Sequence, residues 1–193
     1  MASRHRAVAG LVPAPRPSAA ELAAACSRGL PDLIQPELRV LFCGINPGLY
    51  SAAVGQHFAR PGNRFWPTLH RAGFTERLLH PSEQRALLEL GIGLTNLVSR
   101  ASAGADELER SEYQRGVLSL RRKLRRYRPR AVAFLGLGAY RLAVGEPGAS
   151  VGRQVDALEG VDTWALPNPS GLNAHYSLAR LAACYAELAR AVR

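Results

Sequence analysis

Lysine is almost missing from this chain: of its 25 basic side chains only Lys123 is one, and the rest are arginines. Cysteine is scarce as well. Cys26, Cys43 and Cys184 are odd in number and far apart, which excludes a disulfide framework or a four-thiolate cluster and leaves small buried or half-buried apolar side chains. No apolar stretch approaches the roughly 20 residues that span a bilayer. The N-terminal "MASRHRAVAGLVPAPRPSAA" has basic residues but no sustained apolar core, so no secretory signal is expected and a cytoplasmic location is.

Familiar ligand motifs are missing too. Without a G-x-x-x-x-G-K-[ST] run the common NTPase loop is excluded. "GLGAY" (Gly136 to Tyr140) offers G-x-G with no third glycine, too little for a dinucleotide site. There is no H-E-x-x-H and no Cys/His ligand spacing, so neither a metal nor a cofactor is expected. Ser170, in "NPSGL", does not lie in a G-x-S-x-G elbow.

What is present fits one globular domain. The chain has 193 residues, 47% hydrophobic and 21% charged, enough length to bury a real core. Residues 1–17 are rich in proline and basic side chains without an apolar period and read as a mobile arm; 18–193 read as a single domain, expected to be monomeric. The arm suits phosphates or is an inert tail. A net charge of +10 favours a polyanionic partner, but the preference for arginine and alanine also fits a compositional bias. Both readings stay open.

Along the chain, Ser18 and Glu21 form a capping box for a helix reaching about Arg28, with Gly29 as its stop. "LRVLFCGI" is a buried strand. Asn63 caps "RFWPTLHRAG", whose Pro67 requires the helix to start just before it. "PSEQRALLELG" is a helix, "IGLTNLV" a strand and "ASAGADE" a loop. From Glu112 to Arg128, Tyr113, Val117, Leu120, Leu124 and Tyr127 draw one apolar stripe on an otherwise basic helix, either a solvated face or a contributor to DNA affinity. "RAVAFLGLG" and "VDTWALPNPSGL" each run from a strand into turn residues, and "SLARLAACYAELARAV" closes the chain as an amphipathic helix. Strands alternating with helices argue for a three-layer α/β/α sandwich with a mostly parallel central sheet.

In such sheets ligands bind outside the carboxyl ends of the strands. Two turn-rich bursts follow strands and converge there, one beginning at Gly44–Gly48 and the other at Asn168–Gly171. The first runs on through Gly55, Pro61, Gly62 and Asn63, and reads as an irregular loop. Each burst holds asparagine next to proline, "INPG" and "PNPSG". An amide is no base at neutral pH, but it donates and accepts hydrogen bonds, which suits reading a base edge or orienting a water. Phe65 and Trp66 read as core; Phe58, in the irregular stretch, reads as pocket-lining or core.

"GINPGLYSAAVGQHFARPGNRFW" with "LPNPSGL" near the end resembles the mismatch-specific uracil/thymine-DNA glycosylase family (MUG/TDG) of the uracil-DNA glycosylase superfamily. The likeness runs from about Leu38 to the C-terminus. It implies a glycosylase of base excision repair that removes uracil, with ethenocytosine and thymine as further candidates, from double-stranded DNA opposite guanine; the alternative is a non-catalytic mismatch- or nucleic-acid-binding module of the same fold. Asn46 would hold the hydrolytic water and Asn168 would sit by the glycosidic bond. Ile45 and Gly48 would contact the base through the backbone, Ser51 would lie at its C5 edge, and Phe58 would stack on it. Ser170, Gly171, Leu172 and Asn173 would meet the DNA, with Leu172 as the wedge in the duplex and Gly171 and Asn173 on the opposite strand. A strand-nicking glycosylase needs an amine; Lys123 belongs to neither burst, which favours a monofunctional enzyme that leaves an abasic site and keeps the N-terminal amine as the alternative. Asn173-Ala174 stand where some members carry Ser-Arg. Asn96, His57 and His175 are left with structural and functional readings alike.

Overall fold

The computed structural model describes residues 16–193, so the arm expected at 1–17 lies almost wholly outside the described residues. Five strands form one sheet: β1 (Val40–Gly44), β2 (Ile92–Asn96), β3 (Ala131–Leu135), β4 (Gly152–Arg153) and β5 (Asp162–Leu166), in the order β2-β1-β3-β5-β4. All neighbours are parallel except β4, a two-residue antiparallel edge. β1 and β3 are buried along their whole length. That is why they read as unbroken apolar runs: parallel strands are covered on both faces.

The helices are α1 (Ala19–Ala24), α2 (Leu49–Val54), α3 (Phe65–Arg71), α4 (Ala86–Glu89), α5 (Arg110–Tyr127), α6 (Leu137–Val144) and α7 (Leu178–Ala191). Alternate strand residues feed two cores. Val40, Phe42, Ala133 and Leu166 pack with Phe65 and Leu69 of α3 and Tyr185 and Leu188 of α7. Leu41, Cys43, Val132 and Phe134 pack with Tyr113, Val117, Leu120 and Leu124 of α5 and Tyr140 of α6. The molecule is therefore the expected three-layer α/β/α sandwich. Phe65 and Trp66 are core residues.

Several local expectations need correction. The first burst is not wholly irregular: Leu49–Val54 is helical, with Gly48 at its N-cap and Gly55 (φ 69°) at its C-cap, so two of the supposed loop glycines are helix ends. α1 keeps its Ser18–Glu21 capping box but ends at Ala24, and the left-handed residue that follows is Ser27, not Gly29. "PSEQRALLELG" divides into a 3-10 turn at Pro81–Glu83 and the short α4. "GLGAY" opens α6. α5 begins at Arg110, where the Glu112 carboxylate accepts from the Glu109 N–H (3.0 Å). Cys26 is exposed, whereas burial pushes the Cys43 thiol up to about 12.

Candidate active site

The carboxyl ends of β1, β2, β3 and β5 lie on one side of the sheet, and above them opens a cleft of about 150 Å³. An apolar cavity of roughly that size takes up a benzene-sized ring. Ile45, Asn46, Gly48, Ser51, Phe58, Asn168, Ser170 and Leu172 all line it. Gly171 and Asn173 do not; Gly171 borders a neighbouring crevice against Gly62, and Asn173 faces one against α6. Four further polar side chains, His57, Arg60, Asn63 and Asn96, line it without a site role assigned from sequence; the sequence marks Asn63 only as the helix cap, a position that Arg64 takes. No carboxylate lines the cleft among the described residues.

The two asparagines are committed in opposite senses. Asn46 donates from Nδ2 to Ser102 Oγ (2.7 Å) and to the Arg100 carbonyl (3.2 Å), while Ser102 spends its own proton on the Gly104 carbonyl (2.6 Å). Ser102 must therefore accept from Asn46, which fixes the amide's orientation and leaves Oδ1 as the available acceptor. Asn168 is the reverse. Its Oδ1 accepts from the Ser170 N–H (2.9 Å), so Nδ2 remains as donor.

The backbone between them has a polarity of its own. Carbonyls of Gly44, Ile45 and Pro47 accept from the N–H groups of Leu97, Val98 and Ser102. Across a trans peptide the next N–H points the opposite way, so those of Ile45, Asn46 and Gly48 face away from that segment.

Phe58 closes one wall. Its φ is +54°, unusual for an aromatic residue and found where surroundings over-determine the backbone. Here Ser51 Oγ, buried on α2, accepts from the following Ala59 N–H (3.1 Å), and the Phe58 ring stacks on Phe65 with centroids 4.1 Å apart. Gly44 makes room beneath: a Cβ there would stand 3.2 Å from the Phe58 ring and 2.7 Å from Asn96 Oδ1. Asn96 Nδ2 is buried with no hydrogen-bond partner among the described residues. An orphaned buried amide beside a ligand cleft is costly until something fills it. The signal that could have singled out Asn96 is its place: it ends β2 opposite Gly44.

His57 is only 2% exposed; its Nε2 meets the Pro31 carbonyl at 3.0 Å, and burial lowers its pKa, so it is a neutral wall residue. His175 is exposed and borders the crevice against α6. Lys123 lies outside the cleft, with Nζ 2.6 Å from Asp32 Oδ2 and 2.8 Å from Thr95 Oγ1. On the same helix Arg121 and Arg125 pair with Glu159, leaving Arg122 and Arg126 on the exposed face.

The sequence profile of the uracil DNA glycosylase superfamily matches residues 31–189. The chain belongs to the uracil DNA glycosylase superfamily. A solution structure of a Methanosarcina acetivorans protein, provisionally named a uracil DNA glycosylase, is 20% identical, covers 86% of this chain and 98% of its own, and superposes with a TM-score of 0.58. At that identity the likeness speaks for the fold. Within the superfamily match lie both bursts, and no helix among the described residues is long and apolar enough to cross a membrane.

Proposed function

We propose that this superfamily member is a monofunctional DNA glycosylase of the MUG/TDG kind, which extrudes uracil from G·U mispairs in duplex DNA and hydrolyses its glycosidic bond. The carrying observation is the pair of oppositely committed amides across one ring-sized cleft: Asn46 offers an acceptor and Asn168 a donor. An acceptor orients the hydrogens of an attacking water without removing one. A donor suits the sugar–base linkage as the bond breaks.

A base inside the stack cannot present its glycosidic carbon to water, so the nucleotide is flipped out at a cost of a few kcal/mol, least at a mispair. Leu172, 74% exposed at the tip of its loop, is the side chain to fill the gap. Phe58 offers a stacking face, and the buried Asn96 amide offers a donor to a carbonyl oxygen of the base. Bond breaking places negative charge on the departing base, which the N–H groups of Ile45, Asn46 and Gly48 are oriented to stabilise. With no carboxylate in the cleft, nothing activates the water as a base and no anion supports the sugar cation, so the rate is modest. Lys123, held by Asp32 away from the cleft, is not placed for Schiff-base chemistry, so the product is an abasic site rather than a nicked strand.

The test is a G·U duplex incubated with purified protein and then treated with alkali. Strand scission only after alkali is the expected result; tight binding with no abasic site would leave a mispair-binding module instead. Uracil, thymine and ethenocytosine, each opposite G and A, set the order of preference, which pocket shape tunes by only about 1–3 kcal/mol per methyl group.

A further inference from the structure

Arg64 is the N-cap residue of α3 and closes the "RPGNR" turn. Its guanidinium crosses to the second burst. Nη2 donates to the carbonyls of Ser170 (2.5 Å) and Asn173 (2.8 Å), and Nη1 donates to that of Tyr176. Its backbone N–H donates to the Pro169 carbonyl (2.9 Å). Four carbonyls of one short loop thus converge on one residue. No carboxylate pairs with it among the described residues, and its Nε is buried without a partner. Carbonyl dipoles alone balance this charge, a use that suits the rigid planar fork of arginine better than the point charge of lysine.

The neighbouring residue matters equally. Phe65 supplies the face on which Phe58 stacks, so two consecutive residues at one helix terminus hold the ring of the cleft and the loop that carries Leu172. We infer that Arg64 is a positioning residue that clamps Ser170–Tyr176 with Leu172 projecting outward, and ties that loop to the seat of Phe58. The functional consequence rests on the glycosylase reading; the clamp itself does not.

Besides its bonds to Ser170 and Asn173, Asn168 has an anchorage that Arg64 does not supply. Asn168 lies two residues past β5, and the preceding Pro167 carbonyl accepts from the buried Tyr185 hydroxyl (3.1 Å). Loss of Arg64 therefore loosens Gly171–Tyr176 most, while Asn168 keeps the Pro167 anchor and the walls of the cleft contributed by Ile45, Asn46, Ser51 and Phe58 stay in place. A duplex needs the wedge, whereas a base in a single strand is already free of its partner. The clamp consequently acts on duplex substrates.

The experiment compares wild type, Arg64→Gln and Arg64→Lys by hydrogen exchange and by base release from a G·U duplex and a uracil-containing single strand. Exchange at the Asn173 N–H, bonded to the Ser170 carbonyl at 3.0 Å, is expected to rise about tenfold or more in both variants while β5 stays protected. Release from the duplex is expected to fall about 10–100-fold, and from the single strand less than about threefold. Unchanged exchange, equal losses on both substrates, or full restoration by Arg64→Lys would overturn the clamp, the last by leaving only a charge role. If wild type itself releases no base, the glycosylase reading fails while exchange still decides the clamp. Should Arg64→Gln not fold, Gly171→Ala strains the same loop from the other side, where an added Cβ would stand 2.6 Å from the Gly62 carbonyl. It must show the same faster exchange and the same duplex-selective loss.

Discussion

Residues 44–63 and 168–176 each follow a parallel strand and each face the cleft, yet their backbones are held in different ways. The first segment is knitted to its surroundings through main chain: its carbonyls accept from residues 97, 98 and 102, and it contains a helix whose Ser51 and Ala52 are buried. The second has little of this. It is held by side chains, chiefly Arg64 and the Asn173 Nδ2 bond to the Asn168 carbonyl (2.9 Å), and its tip is exposed. In the proposed reaction one must hold a base still, and the other must enter a duplex and leave it. Side chains can release a loop that a main-chain ladder cannot.

The sharpest way to break this comparison is Asn46→Ala. Removing the acceptor should cut base release by about 10²–10³-fold, with duplex affinity nearly unchanged, because Leu172 and the basic surface remain. Single-turnover release and a binding titration measure the two separately. If affinity falls in parallel, Asn46 is a strut for the 100–104 segment and the amide pair loses its meaning.

Leu172→Ala probes the second segment and should act more weakly. Truncating the wedge should lower release from duplex about 10–100-fold, in line with the few kcal/mol of an unstacked step, and leave single-stranded substrate near wild type. Kinetics on the two substrates side by side give the ratio. Equal losses on both would remove the wedge role.

Much of this architecture is legible in the sequence, for physical reasons that also explain what is not. β1 and β3 read clearly because burial on both faces demands unbroken apolar runs. α5 reads clearly because one stripe faces the sheet. α2 is hidden because it has only six residues and both its caps are glycines, which look like loop when counted rather than placed. In the candidate site, the "NPG" and "NPSG" bursts announce their asparagines, but not that one amide keeps an acceptor and the other a donor. Those senses depend on Ser102, some 56 residues from Asn46, and on the fold of the Ser170 turn. Asn96 becomes meaningful only when the β1–β2 register sets it beside Gly44. Arg64 has no sequence signature at all, since its partners are backbone carbonyls more than 100 residues away.

The smallest effect tests how firmly the first segment is braced. Arg100, whose carbonyl holds Asn46, donates from Nε to Glu112 Oε1 at 2.6 Å and so ties the 100–104 segment to α5. Hydrogen bonds from Arg100 and from the Glu109 N–H hold the Glu112 carboxyl down at about 2, against an ordinary 4.5. A depressed carboxyl stabilises the fold in full above its unfolded pKa, and that contribution is lost as pH falls from 4.5 toward 2. Glu112→Gln should therefore lower thermal stability slightly at neutral pH and flatten its decline across that acid window, since the variant has no proton to gain there. Melting curves at stepped pH report both. The pair is half-buried at the surface and contributes modestly to global stability, so base release at neutral pH should fall less than about threefold. A large loss of release with an unchanged melting temperature would mean that the main-chain ladder alone does not fix Asn46, and that the first segment leans on side chains as the second does.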